Sequence, residues 1–304
     1  MTTRTVGFVI ASLLMPLGAR AQLFQLTKQD LIDYTAKNPF ERFPDGRPKV
    51  PENLIERARG VSSEEIWAVL QGFDTKHEFD NQFEDGFQIT HPDKKLVGRV
   101  VTAQFMPFRA DADEAIRAKA KEHGISNLKN QTVIDMLQPG DVLVVDLFGK
   151  KVNGTMVGDN LFYYINKATK GAGLIIDGSI RDLDGISEID MPAYFRAVDP
   201  TPIGNVMLTG INIPIRLGHV TVMPGDLVVG DREGLYFIPP QLVTAVLDRA
   251  DEIHIHDEWT KKKFDEGKYK SSEIYPSPRD PELKKEYQEY LKKRLGEIHK
   301  QEQQ

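Results

Sequence analysis

The residues best suited to chemistry lie between Gly158 and Asp182. This stretch opens with Gly158-Asp159-Asn160-Leu161 and closes with Arg181-Asp182. An arginine fork binds a carboxylate or an enolate oxygen at two points. An isolated aspartate suits a hard divalent cation that keeps most of its waters, which is how magnesium is usually held. The same two residue types can also form an ordinary surface ion pair of little energetic weight. What matters is therefore which elements bring the two ends of the stretch together.

Leu161, Phe162, Ile165 and Ala168 share one face at helical spacing, so a helix follows Gly158. Gly171-Ala172-Gly173 ends it, and Leu174–Ile176 is a short apolar run between glycines that reads as a buried strand. The order is loop, helix, strand, loop. The helix start offers free backbone N–H groups and the positive end of a dipole, which suits a carboxylate ligand. The strand end delivers Arg181 and Asp182 side by side, and in a loop both can face one site.

The pattern G-D-N-L, helix, G-x-G, apolar strand, D-G-x-x-R-D resembles the family of the regulator of ribonuclease activity A (RraA-like proteins) and the 4-hydroxy-4-methyl-2-oxoglutarate aldolases. Pro139–Asp146 and Pro214–Asp231 look like further blocks of that family, so the resemblance covers roughly residues 60–250. It implies a mixed α/β fold, the swivelling β/β/α sandwich, assembled as a homotrimer or hexamer. It also implies substrate binding by Gly158, Asp159, Asn160, Leu161 and Arg181, with Arg181 catalytic and Asp182 holding Mg2+ or Mn2+. The family aldolases place an aspartate twenty residues before the Arg-Asp pair; here twenty residues precede it from Asn160 and twenty-one from Asp159, so either can fill that position. A carboxylate from a neighbouring subunit assists in such aldolases, and Glu252, Asp257 and Glu258 are candidates.

The function implied is a divalent-metal-dependent lyase of the class II pyruvate aldolase type acting on a small 4-hydroxy-2-oxo acid. Decarboxylation of oxaloacetate passes through the same enolate. The alternative is a non-catalytic RraA-like ligand-binding or regulatory protein, since the regulators of this family inhibit ribonuclease E by contact. A lyase or hydratase for an oxidised sugar is a third reading.

The chain has 304 residues, 40% hydrophobic and 28% charged, which is globular composition. A net charge of −6 argues against a nucleic-acid partner, which calls for a basic face. With no cysteine, disulfides, thiolate metal sites and cysteine nucleophiles are excluded. Arg4, the apolar run Val6–Leu17 and Ala19-Arg20-Ala21 read as a signal peptide, residues 1–21, cut after Ala21. The mature protein is then periplasmic or secreted, without stable membrane insertion.

Residues 22–59 read as an N-terminal extension, 60–255 as the RraA-like domain, and 256–304 as a charged linker with a C-terminal helix. Within the extension, Leu26–Ala36 suits a short helix, and Asn38–Pro51, with Pro39, Pro44, Pro48 and Pro51, suits an extended surface connector. Ser62 and Glu65 form a capping box for a helix through Ile66, Trp67 and Leu70. Leu96–Phe105 reads as a strand, and Asp111–His123 and Asn130–Leu137 as helices. Pro-Gly-Asp recurs at 139–141 and 224–226, each time opening an apolar strand. Leu235–Ile238 is another strand, and Gln241 to about Glu258 a helix with Leu242, Val243, Val246, Leu247, Ala250 and Ile253 on one face. Asp280 caps a last helix with Pro281 at its first position and a stripe through Leu283, Tyr287, Leu291, Leu295 and Ile298.

Other signals weigh less. Gly171-x-Gly173 precedes a strand where a dinucleotide fingerprint follows one. His254 and His256 lie far apart around a helix axis and cannot share an ion. His219, beside Gly218, reads as a hydrogen-bonded loop histidine. No G-x-S-x-G elbow is present.

Overall fold

The structure, a computed structural model, describes residues 25–71 and 76–302. The signal-peptide segment lies outside the described residues. Thr27 accepts the Asp30 amide while the Asp30 carboxylate reaches back to the Thr27 amide, and this reciprocal cap starts α1 (Lys28–Tyr34). The proline-rich segment after it was expected on the surface but turns inward, burying Phe43, Arg47 and Val50. The physical reason is an ion pair: Arg47 grips Asp141 with both terminal nitrogens, at 2.8 and 3.1 Å.

Next come α2 (Glu52–Ala58) and α3 (Ser63–Leu70), the latter opened by the Ser62–Glu65 capping box read from the sequence. The middle of the chain contains β1 (Phe83–Glu84), β2 (Gln88–Ile89), β3 (Leu96–Pro107), α4 (Ala110–Glu122), α5 (Asn130–Ile134) and β4 (Asp141–Asp146). Then follow β5 (Thr155–Val157), α6 (Asp159–Thr169), β6 (Leu174–Ile180), α7 (Leu183–Ser187), β7 (Ala193–Val198) and β8 (Val206–Ile211). The chain continues through β9 (Ile215–Leu217), β10 (Val220–Val222), β11 (Leu227–Gly230), β12 (Leu235–Ile238), α8 (Val243–Asp265), α9 (Ser271–Ile274) and α10 (Pro281–Glu302).

β3 is the hub of a ten-stranded mixed sheet ordered β1-β12-β11-β3-β4-β6-β7-β2. Its first half pairs β11 and its second half pairs β8, and the β8 ladder carries a bulge at Gln104/Phe105. On its other edge it runs parallel to β4, which in turn runs parallel to β6. β5 takes over beside β6 where β4 has left, through Thr155–Ser179 and Val157–Ile180.

Alternating side chains give the sheet two apolar faces. Val101, Leu143, Val145, Ile176 and Phe195 meet Val133 and Ile134 of α5 and Phe162 and Ile165 of α6. Val100, Val142, Val144, Ile175 and Tyr194 face the opposite way, under Ile215, Leu217, Val220 and Val222 of the β9–β10 hairpin. A further cluster joins β11 and β12 to α2, α3 and α8. Hairpin, sheet and helices are stacked as the β/β/α reading requires. Beyond them, α8 extends to Asp265, past the Glu258 end expected from sequence. Trp259 on α8 is covered by Ile274 of α9 and by Leu283 and Tyr287 of α10. Asp280 caps α10 through the amides of Glu282 and Leu283.

Candidate active site

The site is built where β5 and β6 end together. Arg181 donates its amide to Val157, the last residue of β5, so the loop after β6 is tied beside the start of α6. Gly158 is the N-cap of α6, and no side chain caps that end. Phe162 closes the first turn onto Gly158 at 3.0 Å, and the Asn160 amide bonds to Asp159 Oδ1 at 2.7 Å. The Asp159 and Leu161 amides are left directed out of the helix start, the arrangement that receives anions.

Asp182 stands in the left-handed region at φ 58° and ψ 44°. This uncommon backbone for a non-glycine residue turns its side chain back toward Gly158. A Cβ at Gly158 would lie 2.3 Å from Asp182 Oδ2 and 3.0 Å from Arg181 Nε, so only glycine admits both groups there. Arg181 Nε contacts Asp182 Oδ2 at 3.3 Å, and the two side chains are 38% and 45% exposed. The Nη atoms of Arg181 have no partner among the described residues, which leaves the fork free to take a ligand oxygen.

All six residues singled out from the sequence therefore fall within one helix start and the adjoining loop, in different ways. Leu161 turns its side chain into the core and can serve only through its backbone. Asp159 approaches α7, where a Cβ on Gly185 would come within 3.1 Å of its Oδ2. Asn160 is exposed and donates Nδ2 to Asp159 Oδ1 at 3.2 Å. Gly185 and α7 were not read from the sequence, because a five-residue helix carries too little periodicity. β6 also runs further than Ile176, through Asp177, Gly178 and Ser179.

Asp177 survives in a buried strand because Arg196 of β7 answers it, Nε to Oδ1 at 2.7 Å, and reaches Glu84 at 2.6 Å with its other end. The guanidinium lies 3.8 Å from the Phe87 ring centre. Burial pushes the Glu84 carboxyl up, but the His219 amide and Arg196 outweigh it and hold it below the usual range. His219 is thus the hydrogen-bonded loop residue expected. Asp146, at the end of β4, is shifted the other way, raised by burial and by Asp177 nearby.

The carboxylates considered for a neighbouring site are all engaged within this chain. Tyr290 donates to Glu258 at 2.6 Å and Arg294 at 3.1 Å, holding that carboxyl below its usual range. Glu252 pairs with Arg249, and Asp257 lies 3.7 Å from His256 and 3.9 Å from Lys261. His254 turns to Glu65 at 2.6 Å, away from His256. Among the described residues no three histidine or acidic side chains cluster as a metal cage, so any ion here depends on one or two carboxylates and water.

Comparison with known proteins gives this arrangement a context. Residues 68–236, more than half of the chain, match the RraA-like family described as Aldolase/RraA. A Halalkalibacterium halodurans protein named "Putative 4-hydroxy-4-methyl-2-oxoglutarate aldolase" is 32% identical over 120 residues, 40% of this chain and 56% of its own length. A protein of the same name from Ectopseudomonas mendocina is 32% identical over 111 residues, 36% of this chain and 66% of its own length. The matches thus span little more than half to two thirds of these relatives. Streptomyces coelicolor RraAS2, an unusual member of the RNase ES inhibitor RraA protein family, superposes with a TM-score of 0.59 at 27% identity, over 71% of this chain and 100% of its own. An uncharacterised Pseudomonas syringae protein shares the fold at TM-score 0.59 and 22% identity, over 76% of this chain and 94% of its own. The chain belongs to the RraA-like, Aldolase/RraA family.

Proposed function

We propose that the protein is a divalent-metal-dependent lyase of the pyruvate aldolase type, cleaving a small 4-hydroxy-2-oxo acid and also decarboxylating oxaloacetate. The observation that carries this reading is the convergence of Arg181 and Asp182 on the uncapped start of α6 across Gly158. The names of the two aldolase relatives support it. The residues fit Mg2+ or Mn2+: Asp182 is a half-exposed carboxylate with space at Gly158, and a magnesium ion bound by one carboxylate keeps its remaining waters. When bound, the ion supplies Lewis-acid polarisation of the 2-oxo group.

The chain's own groups do the rest. The Asp159 and Leu161 amides hold the substrate carboxylate at the helix start. As the C3–C4 bond breaks, the 4-hydroxyl gives its proton to water, which later returns one to C3, and becomes the carbonyl of one product. The bond's electron pair moves through C3 to the 2-oxo oxygen, where the free Nη groups of Arg181 meet the developing charge. Protonation at C3 then yields pyruvate. Further parts of the proposal are a homotrimer or hexamer, and a mature protein that begins at Gln22 outside the cytoplasm, which N-terminal sequencing from the native host checks directly.

A second reading, a non-catalytic ligand-binding or regulatory protein, draws on the likeness to RraAS2. Pyruvate release separates the two. With magnesium and either oxaloacetate or 4-hydroxy-4-methyl-2-oxoglutarate, the wild type should form pyruvate, and chelator should stop it without unfolding. Asp182→Asn should lose activity that excess metal partly restores. Arg181→Lys, which keeps the charge and loses the fork, should fall on the order of a hundredfold. No metal-dependent pyruvate from either acid, with ligand binding unchanged in both variants, would leave the binding reading in its place.

A further inference from the structure

At the far end of α6 from the candidate active site lies a cleft of about 530 Å³ whose side walls carry Arg59, Lys94, Lys95 and Lys170 against a single acid, Asp190. Four cations facing one carboxylate give it the opposite sign to a chain whose net charge is −6. A concave, low-dielectric surface of one sign concentrates field and counter-ions. The cleft has the volume of an ordinary small-molecule pocket, between roughly 300 and 1,000 Å³. It is also the middle of a longer groove. A cavity of about 310 Å³ adjoins it through Arg59 and Lys170, and one of about 300 Å³ through Lys94 and Lys95. In both outer cavities acids match the cations, Glu52 and Glu56 against Arg59 and Lys170 in one and Asp93, Asp231 and Glu233 against Lys94, Lys95 and Arg232 in the other, so a net positive charge is left only at the centre.

The ties on these cations are weak ones. Among the described residues Arg59 meets Glu56 at 3.0 Å in an exposed pair, Lys94 meets the exposed Asp190, and Lys95 donates to the Val61 carbonyl and has no ion-pair partner. Exposed pairs of this kind contribute little and yield readily to a better ligand. Lys170 has no ion-pair partner among the described residues and stands in the left-handed region at φ 56° and ψ 42°. Helices that end in this conformation favour glycine there. A lysine kept at a strained position, unpaired and lining a cleft, is the kind of outlier that marks a ligand clamp.

We propose that this cleft is a binding site for a small multivalent anion, a phosphoryl or polycarboxylate compound, separate from the Arg181–Asp182 site. The eleven residues of α6 put about 16 Å of helix between them. The test is titration calorimetry of the metal-free, full-length protein with pyrophosphate and, in parallel, citrate. Saturable binding of at least one probe is expected, weakening as salt screens the cations. Pyrophosphate alone would assign a phosphoryl ligand, and citrate alone a polycarboxylate. Lys94→Gln/Lys170→Gln should weaken binding more than tenfold. Lys170→Gly, which relieves the backbone while removing the charge, should bind more weakly at an unchanged or higher melting temperature. Arg181→Lys should bind the anion as wild type does, whatever its effect on pyruvate formation, so this site and the proposed lyase site fail independently. The proposal is overturned if neither probe saturates, if the lysine variants bind as tightly as wild type, or if Arg181→Lys abolishes binding.

Discussion

Arg47 and Asp141 form a bidentate ion pair between side chains only 2% and 0% exposed, joining positions 94 residues apart. Beside it, Arg99 of β3 bonds to the Val50 and Pro139 carbonyls, and Pro48 packs against Gly225. The two Pro-Gly-Asp turns therefore share one partner, the segment around residues 42–50, which is part of the body of the fold. Removing one member of a buried pair strands the other charge. Arg47→Met should therefore destabilise the protein by about 3–5 kcal/mol. Arg47→Met/Asp141→Leu should recover much of that loss, since two apolar groups leave no stranded charge. Urea midpoints of the two variants against wild type provide the measurement, and equal losses in both would refute the ion-pair account.

The second Pro-Gly-Asp turn differs in one respect. Asp226 is buried like Asp141, but among the described residues no arginine pairs with it; its Oδ2 accepts the Met223 amide at 2.9 Å. Burial pushes its carboxyl up to about 7, only partly opposed by that amide. The folded state then keeps a proton that the unfolded chain releases above about pH 4. Its contribution to stability is complete below pH 4, declines as pH rises, and is gone above about 7. Asp226→Asn should flatten this slope, so that thermal unfolding between pH 5 and 8 shows the variant gaining on wild type as pH rises. Parallel curves for the two proteins would refute it.

The sequence exposed what is local. The Ser62–Glu65 capping box, the strands after each Pro-Gly-Asp and the Asp280–Pro281 start of α10 depend on neighbours within a few residues. The inward course of residues 42–50 does not, because four prolines and several charges look like a solvated connector unless Asp141 is known to lie beneath Arg47. β6 was cut short for the same reason: Asp177 looks like a strand end until Arg196 supplies its counter-charge. At the candidate site, the glycine and the Arg-Asp pair were legible as a motif. The left-handed turn at Asp182 and the approach of Asp159 to Gly185 emerge only once β5, β6 and α7 are assembled.

The C-terminal unit allows a third prediction. Trp259 is 1% exposed and packs with Ile274, Leu283 and Tyr287. Removing residues 271–304 should lower the melting temperature and shift tryptophan emission to longer wavelength as Trp259 meets water. Leu283→Ala should cost about 2–3 kcal/mol within the full-length protein. A truncated chain with wild-type melting and emission would show that this packing does not hold the unit in place.

Gly158 and Gly185 allow a sharper test of the candidate site than deleting its charges. At Gly158 φ is −106°, which any residue adopts, so an alanine there meets no backbone penalty. What its Cβ meets is Asp182 Oδ2 at 2.3 Å and Arg181 Nε at 3.0 Å, the movable ends of two half-exposed side chains. These can swing away without disturbing the core, so Gly158→Ala should fold and melt much as wild type does. Their displacement should still lower kcat/KM for pyruvate formation on the order of a hundredfold, the cost of misplacing reacting groups by about an ångström. Gly185→Ala presses only on Asp159, whose Cβ and Oδ2 lie 3.1 Å from the added atom. A comparable loss there would assign Asp159 to the reaction. Wild-type activity in Gly185→Ala would leave the acidic position of the resembling aldolases to Asn160 or to no side chain at all. Full activity in a folded Gly158→Ala would remove Arg181 and Asp182 from the chemistry altogether.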